Sequence, residues 1–184
     1  MADQVVLQFS TTPDLASKFI RMMCHSPFSH VDIMLENGLL GASDCPMCPH
    51  ILGNPRGIAL RPFDYYHFQI RRRAVIKTDK ADAILAAAMS QIGKPFDTGA
   101  VKLRTFLNDK PFSRDWRDTG KWFCSEWAAW SFEQGGYWCH ELIWPKNRLT
   151  PSDFLCMFIT DPNFVNWNEF WSPIAGLKLH PKEI

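Results

Sequence analysis

Residues 30–42 constrain the fold more than any other stretch of the chain. Two runs, His30-Val31-Asp32-Ile33-Met34-Leu35 and Leu39-Leu40-Gly41-Ala42, flank the dipeptide Asn37-Gly38. Asn-Gly readily takes the positive φ angles of a tight hairpin turn, so residues 31–35 and 39–42 predict a β-hairpin. Alternation then sorts the side chains of its first strand. Val31, Ile33 and Leu35 share one face and His30, Asp32 and Met34 the other, which sets an imidazole beside a carboxylate.

The remaining elements follow from punctuation and period. Residues 5–9 predict a strand. Thr12-Pro13-Asp14 reads as an N-cap, a proline at the first helical position and an acid in the first turn. The helix runs to about residue 23, with Leu15, Phe19 and Met22 at helical spacing. Residues 57–61 and 67–76 predict further strands, and 81–92 an alanine-rich helix stopped by Gly93 and Pro95. Residues 97–121 form a polar connection with some helix over 101–106. From residue 125 to about 133, Trp127, Ala128, Trp130 and Phe132 make a helix apolar around much of its surface, which predicts central burial before Gly135-Gly136 ends it. Thr150-Pro151-Ser152-Asp153 starts a last helix. This order predicts one α+β domain over 1–184, a small antiparallel sheet packed against helices, with 160–184 as an aromatic-rich tail packed on it.

Composition narrows the partners. A net charge of +1 gives no overall field for nucleic acid, and alternation splits Arg71-Arg72-Arg73 between the faces of a charge-protected strand. The first residues, Met1-Ala2-Asp3-Gln4, hold no basic segment, and Val5-Val6-Leu7 is too short for a signal or a span. The expectation is a cytoplasmic protein without stable membrane insertion, and a phage-encoded enzyme released by lysis satisfies it too. Six cysteines are too sparse for a disulfide scaffold, so in a reducing compartment they are expected as thiols, metal ligands or a nucleophile.

Cys45-Pro46-Met47-Cys48-Pro49-His50 holds a C-x-x-C followed by histidine. That supplies three zinc ligands, with a fourth to come from Cys24, His25, Cys139 or His140. A proline-stiffened loop with ordinary thiols is the preferred reading, with no metal and no cofactor.

Phe123-Cys124-Ser125-Glu126 carries the chemistry. It sets a thiol in the first turn of a buried helix, where free N–H groups and the helix dipole favour thiolate over thiol. Ser125 can help cap that helix, and Glu126 complements its dipole. A thiol hydrolase also needs a base, a group that orients the base, and donors for an oxyanion. His30, sharing its strand face with Asp32, is the best base.

The strings Phe28-Ser29-His30-Val31-Asp32-Ile33, Leu40-Gly41-Ala42, Gly57-Ile58-Ala59-Leu60-Arg61-Pro62, Gly93-Lys94-Pro95-Phe96-Asp97 and Trp122-Phe123-Cys124-Ser125-Glu126 together resemble the permuted papain-like cysteine hydrolases. These form the YiiX-like branch of the NlpC superfamily and are related to lecithin:retinol acyltransferase. Histidine precedes cysteine here, as in the permuted branch. The resemblance implies a circularly permuted papain-like architecture, Cys124 as nucleophile and His30 as general base. It also implies amide substrates such as peptidoglycan stems, isopeptides or lipid-linked acyl groups. The orienting group stays open: Asp32 ranks first, with Asp44 and Ser43 on the next strand behind it. Ser43, Asp44 and Trp122 are the candidates for contacting substrate. An acyltransferase using the same site, and a non-catalytic binding module on the same fold, are the rival readings.

Overall fold

The computed structural model describes residues 2–99, 120–138, 149–159 and 164–167. The strands are β1 (Gln4–Thr11), β2 (His30–Leu35), β3 (Gly38–Asp44), β4 (Leu52–Gly53), β5 (Arg56–Arg61), β6 (Ile70–Lys77) and β7 (Phe164–Trp167). The helices are α1 (Leu15–Met23), α2 (Ala81–Met89), α3 (Cys124–Gln134) and α4 (Pro151–Ile159). The strands form one antiparallel sheet in the order β4-β5-β3-β2-β1-β6-β7. The chain is thus α+β, as the order of elements predicts. β4 and β7 are additions that short, weakly patterned segments do not announce. The helix expected over 101–106 and the tail of 160–184, apart from α4's neighbour β7, lie outside the described residues.

Register explains which face is dry. Leu7 pairs with Ile33 and Ala74, Phe9 with Val31, Val5 with Ile76, Leu40 with Leu60 and Ala42 with Ile58. These side chains form a continuous apolar floor, and Ala81, Ile84, Ala88, Trp127, Phe132 and Phe154 from three helices close over it. Central burial of α3 is as its sequence predicts: Cys124 through Ala129, Ser131 and Phe132 are all buried. Phe132 is the hinge pin of this layer, with ring centroids of Phe158, Tyr137, Trp138 and Phe154 at 5.1–5.8 Å. A Phe132→Ala variant is expected to lose about 3–5 kcal/mol of stability, read as a lower urea midpoint at unchanged slope.

Caps decide the helix ends. Thr150 and Asp153 make a reciprocal capping box at the start of α4, each side chain accepting from the other's backbone N–H at 2.8 and 2.9 Å. The cap of α1 is Asp14 rather than Thr12, its carboxylate accepting from the Ser17 N–H at 2.8 Å. Pro13 therefore precedes the cap instead of opening the helix. The Thr12 hydroxyl instead donates to the Asp14 carboxylate.

Candidate active site

Cys124 is the first residue of α3, and the extended Phe123 before it turns the chain into the helix. No side chain caps this end; the Ser125 hydroxyl instead donates to the Leu149 carbonyl at 2.5 Å, corrected from the capping role expected of it. Ser125 so ties α3 to the segment that enters α4. Glu126 is buried in the first turn. Cys124 is only 7% exposed.

His30 opens β2, and its Nε2 lies 2.8 Å from Asp32 Oδ1. The ring also lies close enough to Cys124 for the two to interact electrostatically. Cys124, His30 and Asp32 are thereby brought together, with the Asp32 carboxylate bonded to one ring nitrogen.

A glycine makes that geometry possible. β2 and β3 pair from Leu35–Gly38 to Ile33–Leu40, and Gly41 is the next residue along β3. A Cβ on Gly41 would lie 1.9 Å from Asp32 Oδ1. The bare backbone of Gly41 is the slot into which the carboxylate folds back toward His30. Asp32 is fully buried there, and the Tyr65 hydroxyl donates to its Oδ2 at 3.4 Å while lying 3.3 Å from His30 Nε2.

Burial alone would pull the His30 imidazole down, but the charge of Asp32, its hydrogen bond and the contact with Cys124 outweigh it and raise the ring to about 10. Tyr65 is pushed well above the usual phenol range, first by burial and then by the Asp32 charge, with Arg61 opposing. It remains a neutral donor.

Arg61 is fully buried and holds this corner together. One of its terminal nitrogens donates to the Gly41 and Ala59 carbonyls at 2.9 and 3.3 Å, and the other to those of Gly57, Pro55 and Ser43 at 3.1, 3.2 and 3.5 Å. Its guanidinium carbon stands 5.5 Å from the centre of the Tyr65 ring. The cation thus fixes both Gly41 and the tyrosine that touches Asp32. Gln8 and Ser10 pair across β1 with Asp32 and His30, so they share the polar face, and both are fully buried.

The other sequence candidates lie apart from this chain of contacts. Ser43 offers its carbonyl to Arg61, and Asp44 is exposed at the end of β3. Trp122 is 3% exposed; its indole N–H donates to Gln91 Oε1 at 3.2 Å and its ring packs 5.2 Å from that of Trp130. Trp122 thus packs in the core beside the start of α3. Sequence reasoning missed Tyr65, Arg61 and Gly41. Arg61 and Gly41 stand in strings that carry the family resemblance, so a signal was present for those two.

Cys45 and Cys48 are joined as a disulfide with Cα atoms 5.4 Å apart, which corrects the reading of both as thiols. The physical cause is a tight turn between prolines, in which the Cys48 N–H donates to the Cys45 carbonyl at 3.2 Å and brings the sulfurs together. A bonded pair offers no thiolate to zinc. Among the described residues no group of three or more His, Cys, Asp or Glu side chains could hold a metal ion. Cys139 and His140 lie outside the described residues. Among the described residues, no helix is long and apolar enough to cross a membrane.

Sheet order, helix layer and the His30–Cys124 contact define an α+β protein with a cysteine–histidine–aspartate constellation. No family model matches the chain, and no curated protein matches it. Among solved structures it is similar to the metalloprotein YiiX of Escherichia coli O157:H7 (DUF1105), with 15% identity over 92% of this chain and 98% of that one, at a TM-score of 0.55. At that identity the likeness is one of fold.

Proposed function

We propose that this protein is a cysteine hydrolase of the amidase or peptidase type, built on a circularly permuted papain-like fold and acting on an amide or ester carbonyl. The observation that carries the reading is the His30 ring, which interacts with Cys124 and is hydrogen-bonded to a buried carboxylate. The fold-level likeness to YiiX and the order histidine before cysteine support it. YiiX is titled a metalloprotein, but the described residues here offer no cluster for a metal, and no step is routed through one.

In this mechanism the Cys124 thiolate adds to the carbonyl carbon, and the oxyanion takes up the Cys124 backbone N–H at the start of α3. The His30 imidazolium gives its proton to the departing amine or alcohol as the C–N or C–O bond breaks, leaving an acyl-thioester and a neutral ring. The neutral ring then takes a proton from water as that water attacks the thioester. Collapse releases a carboxylic acid and restores thiolate and imidazolium. Asp32 keeps the ring turned toward the sulfur throughout, and Tyr65 holds Asp32. An amine or hydroxyl in place of water makes the same site an acyltransferase. Peptide, peptidoglycan-like and acyl-amide compounds are the substrate classes to screen.

The test is labelling with chloroacetamide at less than one equivalent, followed by peptide mapping. Cys124 is expected to carry nearly all of the label despite its burial, ahead of the exposed Cys156 and half-buried Cys24. Labelling spread according to exposure overturns the enzyme reading in favour of a binding module.

A further inference from the structure

Helix α1 is mounted with its apolar face outward. Leu15, Phe19 and Met22 are 82%, 45% and 63% exposed. Their i, i+4, i+7 spacing places them in one stripe. Ser17, the one buried residue of the helix, lies on the opposite side. Its hydroxyl bonds Thr11 Oγ1 at 2.9 Å and Ser29 Oγ at 2.6 Å. The helix is therefore attached to the body by hydroxyl contacts and presents its large side chains to solvent. Three of the seven large exposed apolar side chains among the described residues fall on these nine residues.

Charge around the stripe is of one sign. Lys18 is exposed between Leu15 and Phe19 in sequence and the first turn holds no acid, while Arg21 in the last turn is half-buried, with its Nε enclosed, toward the Ser17 side. The cap carboxylate of Asp14 is engaged by the Ser17 N–H and by the hydroxyls of Thr12 and Tyr66. Apolar side chains beside an exposed cation, with no competing anion on the helix, match a surface that is apolar just beneath an anionic layer.

We propose that α1 is a docking helix for an anionic lipid bilayer. It lies along the surface with Leu15, Phe19 and Met22 at the boundary of headgroups and acyl chains and with Lys18 at the lipid phosphates. A second copy of the chain is the poorer occupant, because three side chains of a short helix fall well below the roughly 800 Å² per partner of a stable protein interface. Docking would also fix where the candidate site faces. Ser29, bonded to Ser17, is the residue before His30, so the bilayer would hold the opening of β2 near its surface. This inference stands whatever chemistry Cys124 performs.

The experiment is co-sedimentation of the full chain with vesicles of phosphatidylcholine alone and of phosphatidylcholine with about one-third phosphatidylglycerol. The expected result is binding to the anionic vesicles, weakened by salt, and at least about tenfold weaker binding to neutral ones. A Leu15→Ser/Phe19→Ser/Met22→Ser variant, with an unchanged melting curve, should lose at least about tenfold in affinity for the anionic vesicles. Lys18→Glu alone should cut the preference for anionic over neutral lipid. Failure of the wild-type chain to sediment with either vesicle overturns the proposal, as does a triple variant that binds like the wild type. A dimer in light scattering that the triple substitution dissolves, without vesicle binding, assigns the stripe to a second copy instead.

Discussion

A His30→Ala variant is expected to take up chloroacetamide at Cys124 about 10²–10⁴-fold more slowly than the wild type at pH 7, the range that a positioned acid–base group commands. The ring links Asp32 to the sulfur, so its loss removes both contributions at once. The ionisation of His30 makes a second readout. Burial lowers its proton affinity, the Asp32 charge and hydrogen bond and the Cys124 contact raise it, and the balance stands at about 10. Because the folded value lies above the ordinary 6.5, the ring's contribution to stability is complete below 6.5 and is lost as pH rises through about 10. The NMR titration of the His30 imidazole in the wild type should accordingly show its midpoint near 10, with the melting temperature falling over the same window. A midpoint near 6.5 would mean that the Asp32 carboxylate does not act on the ring.

Much of this arrangement could be read from the chain because it rests on local rules. Alternation in β2 places His30 beside Asp32, and the hairpin that carries them forms as expected. Its turn is Glu36-Asn37, however, with Gly38 already paired to Leu35 and no positive φ at either residue of the Asn-Gly pair. Helical punctuation likewise puts Cys124 at the first turn of a buried helix. What alternation could not settle is how a carboxylate two residues along a strand reaches a nitrogen of the ring. That depends on Gly41 across the ladder, a residue that reads as mere absence of a side chain. Tyr65 and Arg61 belong to the same class. The tyrosine sits in an irregular stretch between β5 and β6 where no period applies, and a lone arginine at a strand end gives no hint of five buried carbonyls around it. The helical spacing of Leu15, Phe19 and Met22 was legible too, but period shows that a face exists and not which way it points. Pairing of Cys45 with Cys48 escaped for another reason, since cysteine counting across the chain says little about two residues in one turn.

Gly41→Ala is expected to disable the candidate site without touching cysteine or histidine. The new methyl would sit 1.9 Å from Asp32 Oδ1 and 3.0 Å from its Cγ, so one of the two must move. The strand cannot yield easily: Gly41 pairs with Ala59 on β5, and its carbonyl takes the Arg61 guanidinium at 2.9 Å. The carboxylate therefore swings away from His30 Nε2, which leaves a buried anion short of its partner. Breaking such a pair costs about 3–5 kcal/mol, so the urea midpoint should drop. Loss of the orienting group should slow Cys124 labelling by about 10²-fold or more, by comparison with the damage done where a histidine loses its aspartate. His30 should titrate back toward its ordinary range, since the Asp32 charge and hydrogen bond that raise it are displaced. Asp32→Asn separates the two effects: it keeps the shape in the Gly41 slot and removes the charge, so the titration should shift while the backbone packing stays intact. Should Gly41→Ala label at the wild-type rate with His30 still titrating near 10, the ring is steadied by something other than Asp32, and Tyr65 becomes the residue to replace next.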